Sequence, residues 1–239
     1  MILTLLLAIS SYMLPASNIN NGNKKQIIFF TGGNSLMPPD IYSDFINKLR
    51  IDYKVNTIKN SNKESISVLE QVYQYSMNSN NDENNDLIVL GHSSGCTTLL
   101  NYCCRIPNVK KCILLDPVNN NVEKDVIVNF NSVLQLNAEK AYKWEFAFPI
   151  PRVPFIPAFK MDPKLLKNVN NYTNIEISNY GHCDILDTAF SNFMHNTVAK
   201  GAEDRNSINE YKDFIIHLIN CYVNDIPLNN DNFESFKIN

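Results

Sequence analysis

Glycine is scarce in this chain, with seven in 239 residues. A sequence that uses it so sparingly keeps it where the backbone enters conformations closed to other residues. Basic clusters are missing too: 21 Lys and Arg against 24 Asp and Glu leave a net charge of −3, with no Lys/Arg block. That removes the electrostatic footprint phosphate-backbone binding requires, so nucleic acid is not an expected partner. The six cysteines include no Cys-x-x-Cys pair, which argues against a zinc site. In an exporting compartment some would pair; in a reducing one they serve as small buried hydrophobes. No apolar run reaches the roughly 20 residues an ordinary membrane-spanning helix needs. What remains is an ordinary globular composition, 44% hydrophobic and 19% charged.

The first sixteen residues stand apart. Met1 to Ile9 is almost wholly apolar, Pro15-Ala16-Ser17 follows, and no charge precedes Lys24. This predicts a signal peptide cleaved after Ala16, or a short hydrophobic anchor, and with it a secreted or endomembrane-lumen protein. Should the stretch be a buried first strand or an anchor, the chain is cytoplasmic or membrane-anchored. The sequon Asn171-Tyr172-Thr173 adds weight to export. Residues 24–225 read as one domain and 226–239 as a polar C-terminal tail, without internal repeats or a linker.

Within that domain, short apolar runs alternate with helical stretches, the pattern of βα units on a mainly parallel central sheet with helices on both faces. Strands are expected at Gln26–Phe30, Tyr53–Ile58, Leu87–Leu90, Lys111–Leu115, Ser132–Leu136 and Asn174–Ile177. Helical spacing covers Pro39–Arg50, Lys63–Met77, Ser94–Arg105 and Ser207–Tyr222, and Asn78–Asp86 reads as a polar loop.

Five of the seven glycines fall in Thr31-Gly32-Gly33, Gly91-His92-Ser93-Ser94-Gly95 and Gly181-His182, each after an apolar run. The second segment is a G-x-S-x-G element between a strand and a helix-compatible run, the setting of a nucleophile elbow. Small residues are needed there because the turn is too crowded for larger ones, so Ser93 is the expected nucleophile. A serine hydroxyl needs a base oriented by an acid. Of the four histidines, His182 alone follows a late strand on a loop, where an open α/β sheet presents its site. His92, His195 and His217 read as surface or structural. Two acids fit the order Ser, acid, His: Asp116 at the end of the strand after the elbow, and Glu139 one strand later. Position does not separate them.

Phe29-Phe-Thr-Gly-Gly33, Gly91-His-Ser-Ser-Gly95, Leu115-Asp-Pro-Val118 and Tyr180-Gly-His-Cys-Asp-Ile-Leu-Asp187 occur in the order and at roughly the spacing of plant chlorophyllases and their α/β-hydrolase relatives, including platelet-activating-factor acetylhydrolases. The chain resembles that group over about residues 25–225. The resemblance implies an α/β-hydrolase fold and Asp116 as the acid. Thr31 stands where these relatives carry His, Gly33 where a larger apolar residue is common, and Ser94 where chlorophyllases tend to have Arg. The segment between Asp116 and His182 also looks shorter. These departures weigh against chlorophyll itself as substrate.

An oxyanion hole is expected from the backbone N–H of Ser94 and a second from the loop after the first strong strand, Gly33 or, alternatively, Asn34. The proline-broken, aromatic run 141–161, with Trp144, Phe155 and Phe159, predicts a lid or acyl-binding wall. It equally fits a loop packed on the core. The expected activity is hydrolysis of carboxylic esters, of small lipophilic substrates, by a Ser93-His182-Asp116 triad without cofactor or metal. Peripheral contact with a membrane fits the same apolar run. The rivals are a catalytically silent hydrolase-fold protein binding a partner or lipid, and an acyltransferase or thioesterase using the same residues.

Overall fold

A computed structural model describes residues 24–33, 37–58, 74, 87–103, 106, 109–118, 122, 130–141, 161–166, 169–197 and 199–228. Six strands form one parallel sheet: β1 (Gln26–Phe30), β2 (Lys54–Ile58), β3 (Leu87–His92), β4 (Val109–Leu115), β5 (Ser132–Ala138) and β6 (Asn171–Ile177). Their order is β2-β1-β3-β4-β5-β6, every pairing parallel. Among the described residues four α-helices flank it: α1 (Ser43–Leu49), α2 (Ser94–Cys103), α3 (Thr188–Thr197) and α4 (Ile208–Val223).

Side chains alternate across a strand, and both faces of the inner strands are apolar, so two cores form. Ile27, Phe29, Ile88, Leu90, Ile113 and Leu134 pack against Phe45 and Leu49 of α1 and Phe214 and Leu218 of α4. Ile28, Phe30, Val89, Cys112, Leu114 and Val133 pack on the other face against Cys96, Leu99, Leu100 and Cys103 of α2. Strands buried on both sides read as continuous hydrophobic runs. That is why β1, β3 and β4 are conspicuous in the sequence. The five described cysteines, Cys96, Cys103, Cys112, Cys183 and Cys221, are buried and no disulfide joins two of them, in keeping with use as small hydrophobes.

The expected strands all form, β1 with the expected bounds and the other five with shifted ends. β3 runs on through Gly91-His92, and β6 begins at Asn171, three residues early. Those three residues are polar and mostly exposed because β6 is an outer strand; Tyr172 is tied inward by donating to Gln135 Oε1 at 2.8 Å. The helix expected over Pro39–Arg50 is a 3-10 turn (Pro39–Tyr42) followed by α1, while α2 ends at Cys103 and α4 spans Ile208–Val223. Helix α3 has no counterpart in the sequence reading. Its apolar residues Phe190, Phe193 and Met194 stand at i, i+3 and i+4, but the run is short and of its residues only Ser191 and Met194 are buried. The helix expected at Lys63–Met77, apart from Gln74, and the loop Asn78–Asp86 lie outside the described residues, as do the first 23 residues and all but the start of the C-terminal tail. Among the described residues no helix is long and apolar enough to cross a membrane.

The sheet order places a switch point at β1, since the chain leaves it to one side for β2 and returns on its other side for β3. Loops following β1 and β3 therefore diverge from adjacent strand ends and open a crevice, the usual place for a ligand in an open α/β sheet.

Candidate active site

The turn between β3 and α2 carries Ser93 at φ 56°, a left-handed conformation that is uncommon for a residue with a side chain. Three backbone bonds hold it there: Ser93 N–H donates to Leu115 O at 3.0 Å, and Ser93 O accepts from Cys96 N at 3.1 Å and Val118 N at 3.3 Å. The flanking glycines are required by close approach. A Cβ on Gly91 would lie 2.9 Å from Cys96 Cα, and one on Gly95 would lie 2.6 Å from Thr31 O. Ser93 is partly exposed while its neighbours on both sides are buried. The elbow thus lifts one hydroxyl-bearing residue out of a dry surround.

Asp116 ends β4 in a second left-handed turn, φ 44°, with its N–H donating to Leu136 O at 2.9 Å. Its Oδ1 accepts from Ala138 N at 2.6 Å, leaving Oδ2 to face His182 Nδ1 at 3.7 Å. That exceeds hydrogen-bond length; catalytic hydrogen bonds are often long in a substrate-free site and tighten once it is occupied. Glu139 is placed elsewhere: its Oε2 accepts from Asn179 N at 3.0 Å and caps the turn after β6. The structure brings Asp116, and not Glu139, beside His182.

Burial is the main influence on both partners, since desolvation disfavours the charged form of either. It pushes the Asp116 carboxyl up to about 8, opposed by the Ala138 N–H and reinforced by the Asp184 charge. It holds His182 well below the ordinary imidazole value, with His92 adding to the effect. The resting pair therefore favours a neutral imidazole, the form able to take a proton.

The loop bearing His182 is clamped by Asp184, whose carboxylate is buried and accepts four hydrogen bonds. Oδ2 takes Gly181 N at 2.8 Å and Ala202 N at 2.7 Å; Oδ1 takes Ser191 Oγ at 3.1 Å and Arg205 Nη1 at 2.7 Å. Arg205 also reaches Ser191 Oγ and Asn192 Oδ1. Asp187 closes the segment's other end, accepting from Ser43 Oγ at 2.5 Å and Asp44 N at 2.8 Å at the start of α1. Both acids of the Tyr180–Asp187 segment thus fasten the histidine loop to helices. Nearby, Lys212 of α4 is fully buried, with Nζ 3.4 Å from Asp44 Oδ2.

Sequence reasoning took His92 for surface or structural. It is 2% exposed, and its ring centroid lies 4.6 Å from that of His182. The available signal was the apolar strand, which continues through Gly91-His92 and makes an exposed histidine there improbable. One nitrogen of each histidine and a carboxylate oxygen of Asp116 fall within 4.8 Å of one another, a grouping that has the donor types for a cation. Both nitrogens of His92 are already bonded, however, Nδ1 to Tyr42 OH at 2.8 Å and Nε2 to His182 O at 3.1 Å. The cluster is organised as a hydrogen-bonded network instead of a set of lone pairs converging on one centre.

Of the expected oxyanion donors, Ser94 opens α2 and Gly33 sits at φ 81° beside Met37. The preceding Gly32 packs on the elbow: a Cβ there would lie 2.8 Å from Ser93 Cβ. Asn34, Trp144, Phe155 and Phe159 lie outside the described residues. His195 accepts from Gly201 N at 3.0 Å past the end of α3, and His217 lies on α4, 3.7 Å from Cys221 Sγ.

No family model matches this chain, and no curated protein matches its sequence. Its fold does match solved structures. A candidate α/β hydrolase of unknown function from Agrobacterium tumefaciens superposes with a TM-score of 0.54 at 9% identity, over 86% of this chain and 89% of that one. Dienelactone hydrolase from Anabaena variabilis gives 0.51 at 10% identity, over 83% and 87%. An esterase from Pyrobaculum calidifontis gives 0.50 at 14% identity, over 84% and 78%. With its parallel sheet, its strained serine after β3 and its histidine loop after β6, the chain has the α/β-hydrolase fold.

Proposed function

We propose that this chain is a serine hydrolase of carboxylic esters, with Ser93 as nucleophile, His182 as base and Asp116 as the group orienting it. One observation carries the reading: a serine held at φ 56° at the switch point of the sheet, with a buried histidine–aspartate pair on the adjoining loops. Since Nδ1 of His182 faces Asp116, Nε2 is the nitrogen left to serve the hydroxyl. His182 accepts the Ser93 proton as Oγ adds to the ester carbonyl. The carbonyl electron pair moves to oxygen, where the backbone N–H groups of Ser94 and Gly33 stabilise it. Collapse expels the alcohol, which leaves with the proton from His182, and water repeats the sequence on the acyl-enzyme. The imidazolium forms beside an already ionised Asp116, whose charge offsets the cost of a buried cation.

The aromatic run containing Trp144, Phe155 and Phe159 supports lipophilic esters as substrates, because its apolar area suits an acyl chain better than water. The test combines covalent labelling by a fluorophosphonate with turnover of p-nitrophenyl esters of increasing chain length. Wild-type protein should label and prefer longer chains, and Ser93→Ala should do neither while melting at nearly the same temperature. Labelling that survives in Ser93→Ala would refute the assignment. Equal turnover of all chain lengths would remove the lipophilic preference alone.

A further inference from the structure

Three pieces of backbone must keep register for the chemistry above: the loop after β1, the elbow after β3, and the histidine loop after β6. They lie at residues 31–33, 91–95 and 181–187, far apart in sequence. One chain of side-chain hydrogen bonds joins all three. It runs from Gly32 N–H to Tyr42 Oη at 3.0 Å, from Tyr42 Oη to His92 Nδ1 at 2.8 Å, and from His92 Nε2 to the carbonyl oxygen of His182 at 3.1 Å.

The proton positions along it follow from what each atom is able to do. A carbonyl oxygen only accepts, so His92 carries its proton on Nε2 and donates to His182. In a neutral ring Nδ1 then accepts, and the Tyr42 hydroxyl donates to it. The Tyr42 oxygen in turn accepts from Gly32 N–H. Every member has one role, and the network holds together in one arrangement. Burial supports the neutral state, lowering His92 to about 4 and raising Tyr42 far above the ordinary phenol value. The His92 ring also lies against that of His182, tilted by 32°, and covers it with an uncharged surface.

We propose that His92 is a positioning residue for the reaction: it holds the His182 loop by its main-chain carbonyl and, through Tyr42, fixes that loop against the backbone at Gly32. This rests on the serine-hydrolase reading and deepens it. His92 makes no hydrogen bond to the His182 ring and acts through the loop that carries it, so its influence belongs in kcat and in the reactivity of Ser93, with little effect on ground-state binding.

Two near-isosteric substitutions separate the halves of the connection. Gln at 92 extends an amide N–H toward the His182 carbonyl and gives up the acceptor for Tyr42; Asn keeps an acceptor near the Nδ1 position and gives up the reach to His182. On p-nitrophenyl acetate, His92→Asn should lower kcat about 10–100-fold, the scale of a misplaced catalytic group, with KM within about threefold. His92→Gln should restore kcat to within about fivefold of wild type. The rate of fluorophosphonate labelling should follow kcat. Tyr42→Phe, which preserves shape, should lower kcat about three- to tenfold and give an answer even if a His92 variant folds poorly. Melting curves recorded on each variant supply the structural control. The proposal is overturned if Asn and Gln variants keep wild-type kcat, or if both lose activity only in step with their melting temperatures. A wild-type protein that neither labels nor turns over esters would instead refute the hydrolase reading itself, and this inference with it.

Discussion

Replacing Asp184 with Ala tests the view that the histidine loop is held by one buried carboxylate. The side chain is 1% exposed and accepts from Gly181 N, Ala202 N, Ser191 Oγ and Arg205 Nη1. Its removal leaves two buried backbone N–H groups without a partner and a guanidinium, only 21% exposed, facing a cavity. Breaking a buried ion pair by deleting one member costs about 3–5 kcal/mol, because the remaining charge stays desolvated. For a chain of this size each kcal/mol lowers Tm by about 2–4 °C, so a drop of about 6–20 °C is expected by calorimetry or circular dichroism. Arg205→Ala should cost less, since the carboxylate would keep two backbone donors and a hydroxyl. Activity below the melting range should also fall in Asp184→Ala, because Gly181 precedes His182 directly. Calorimetry showing Asp184→Ala within about 1 kcal/mol of wild type, or less damaging than Arg205→Ala, would refute the clamp.

Three further outcomes follow from the site. With its carboxyl pushed up to about 8 by burial, Asp116 keeps its proton below that pH and offers no negative charge to stabilise the His182 imidazolium. Accordingly kcat/KM on an uncharged ester should rise with pH to a plateau above about 8; a plateau reached by pH 6 would contradict this. Asp116→Asn should lower kcat by about 10³–10⁴, and Glu139→Gln by less than about tenfold, since Glu139 caps the Asn179 turn away from His182; steady-state kinetics giving the reverse ranking would move the acid to Glu139. Finally, Gly95→Ala drives a methyl onto the Phe30 and Thr31 carbonyls, with Thr31 O at 2.6 Å. Helix α2 must retreat from β1, at about 1–3 kcal/mol and about 10²-fold in kcat, measured together by melting and turnover.

The inner strands and the elbow were legible because their signals are local. Continuous apolar runs announce β1, β3 and β4, and two glycines bracket Ser93 within five residues. What the sequence concealed is carried by pairs distant in the chain. Helix α3 buries Ser191, whose hydroxyl is bonded by Asp184 and Arg205, a polar contact that no apolar pattern announces. Tyr42 and His92 are separated by 50 residues, and His92 and His182 by 90; no spacing rule reaches across such intervals. The choice between Asp116 and Glu139 was open for a similar reason, since both follow strands and only tertiary geometry shows which carboxylate faces the histidine. Lys212 lies on the apolar face of α4 beside Tyr211 and Ile215, and only the presence of Asp44 on another helix makes that burial intelligible.

Among the described residues β2 and β6 are the outer strands, and both are more polar than β1 and β3 within the sheet. β2 reads Lys-Val-Asn-Thr-Ile and β6 Asn-Tyr-Thr-Asn-Ile-Glu-Ile, whereas β1 and β3 offer Ile-Ile-Phe-Phe and Leu-Ile-Val-Leu. Polar and charged residues on a rim strand discourage the docking of another molecule's strand, so these two segments act as gatekeepers against aggregation. Peeling either one away exposes a β-prone, uncharged segment of the kind that stacks between chains. Where opening of these rims leads to aggregation on heating, a slower temperature scan should lower the apparent Tm.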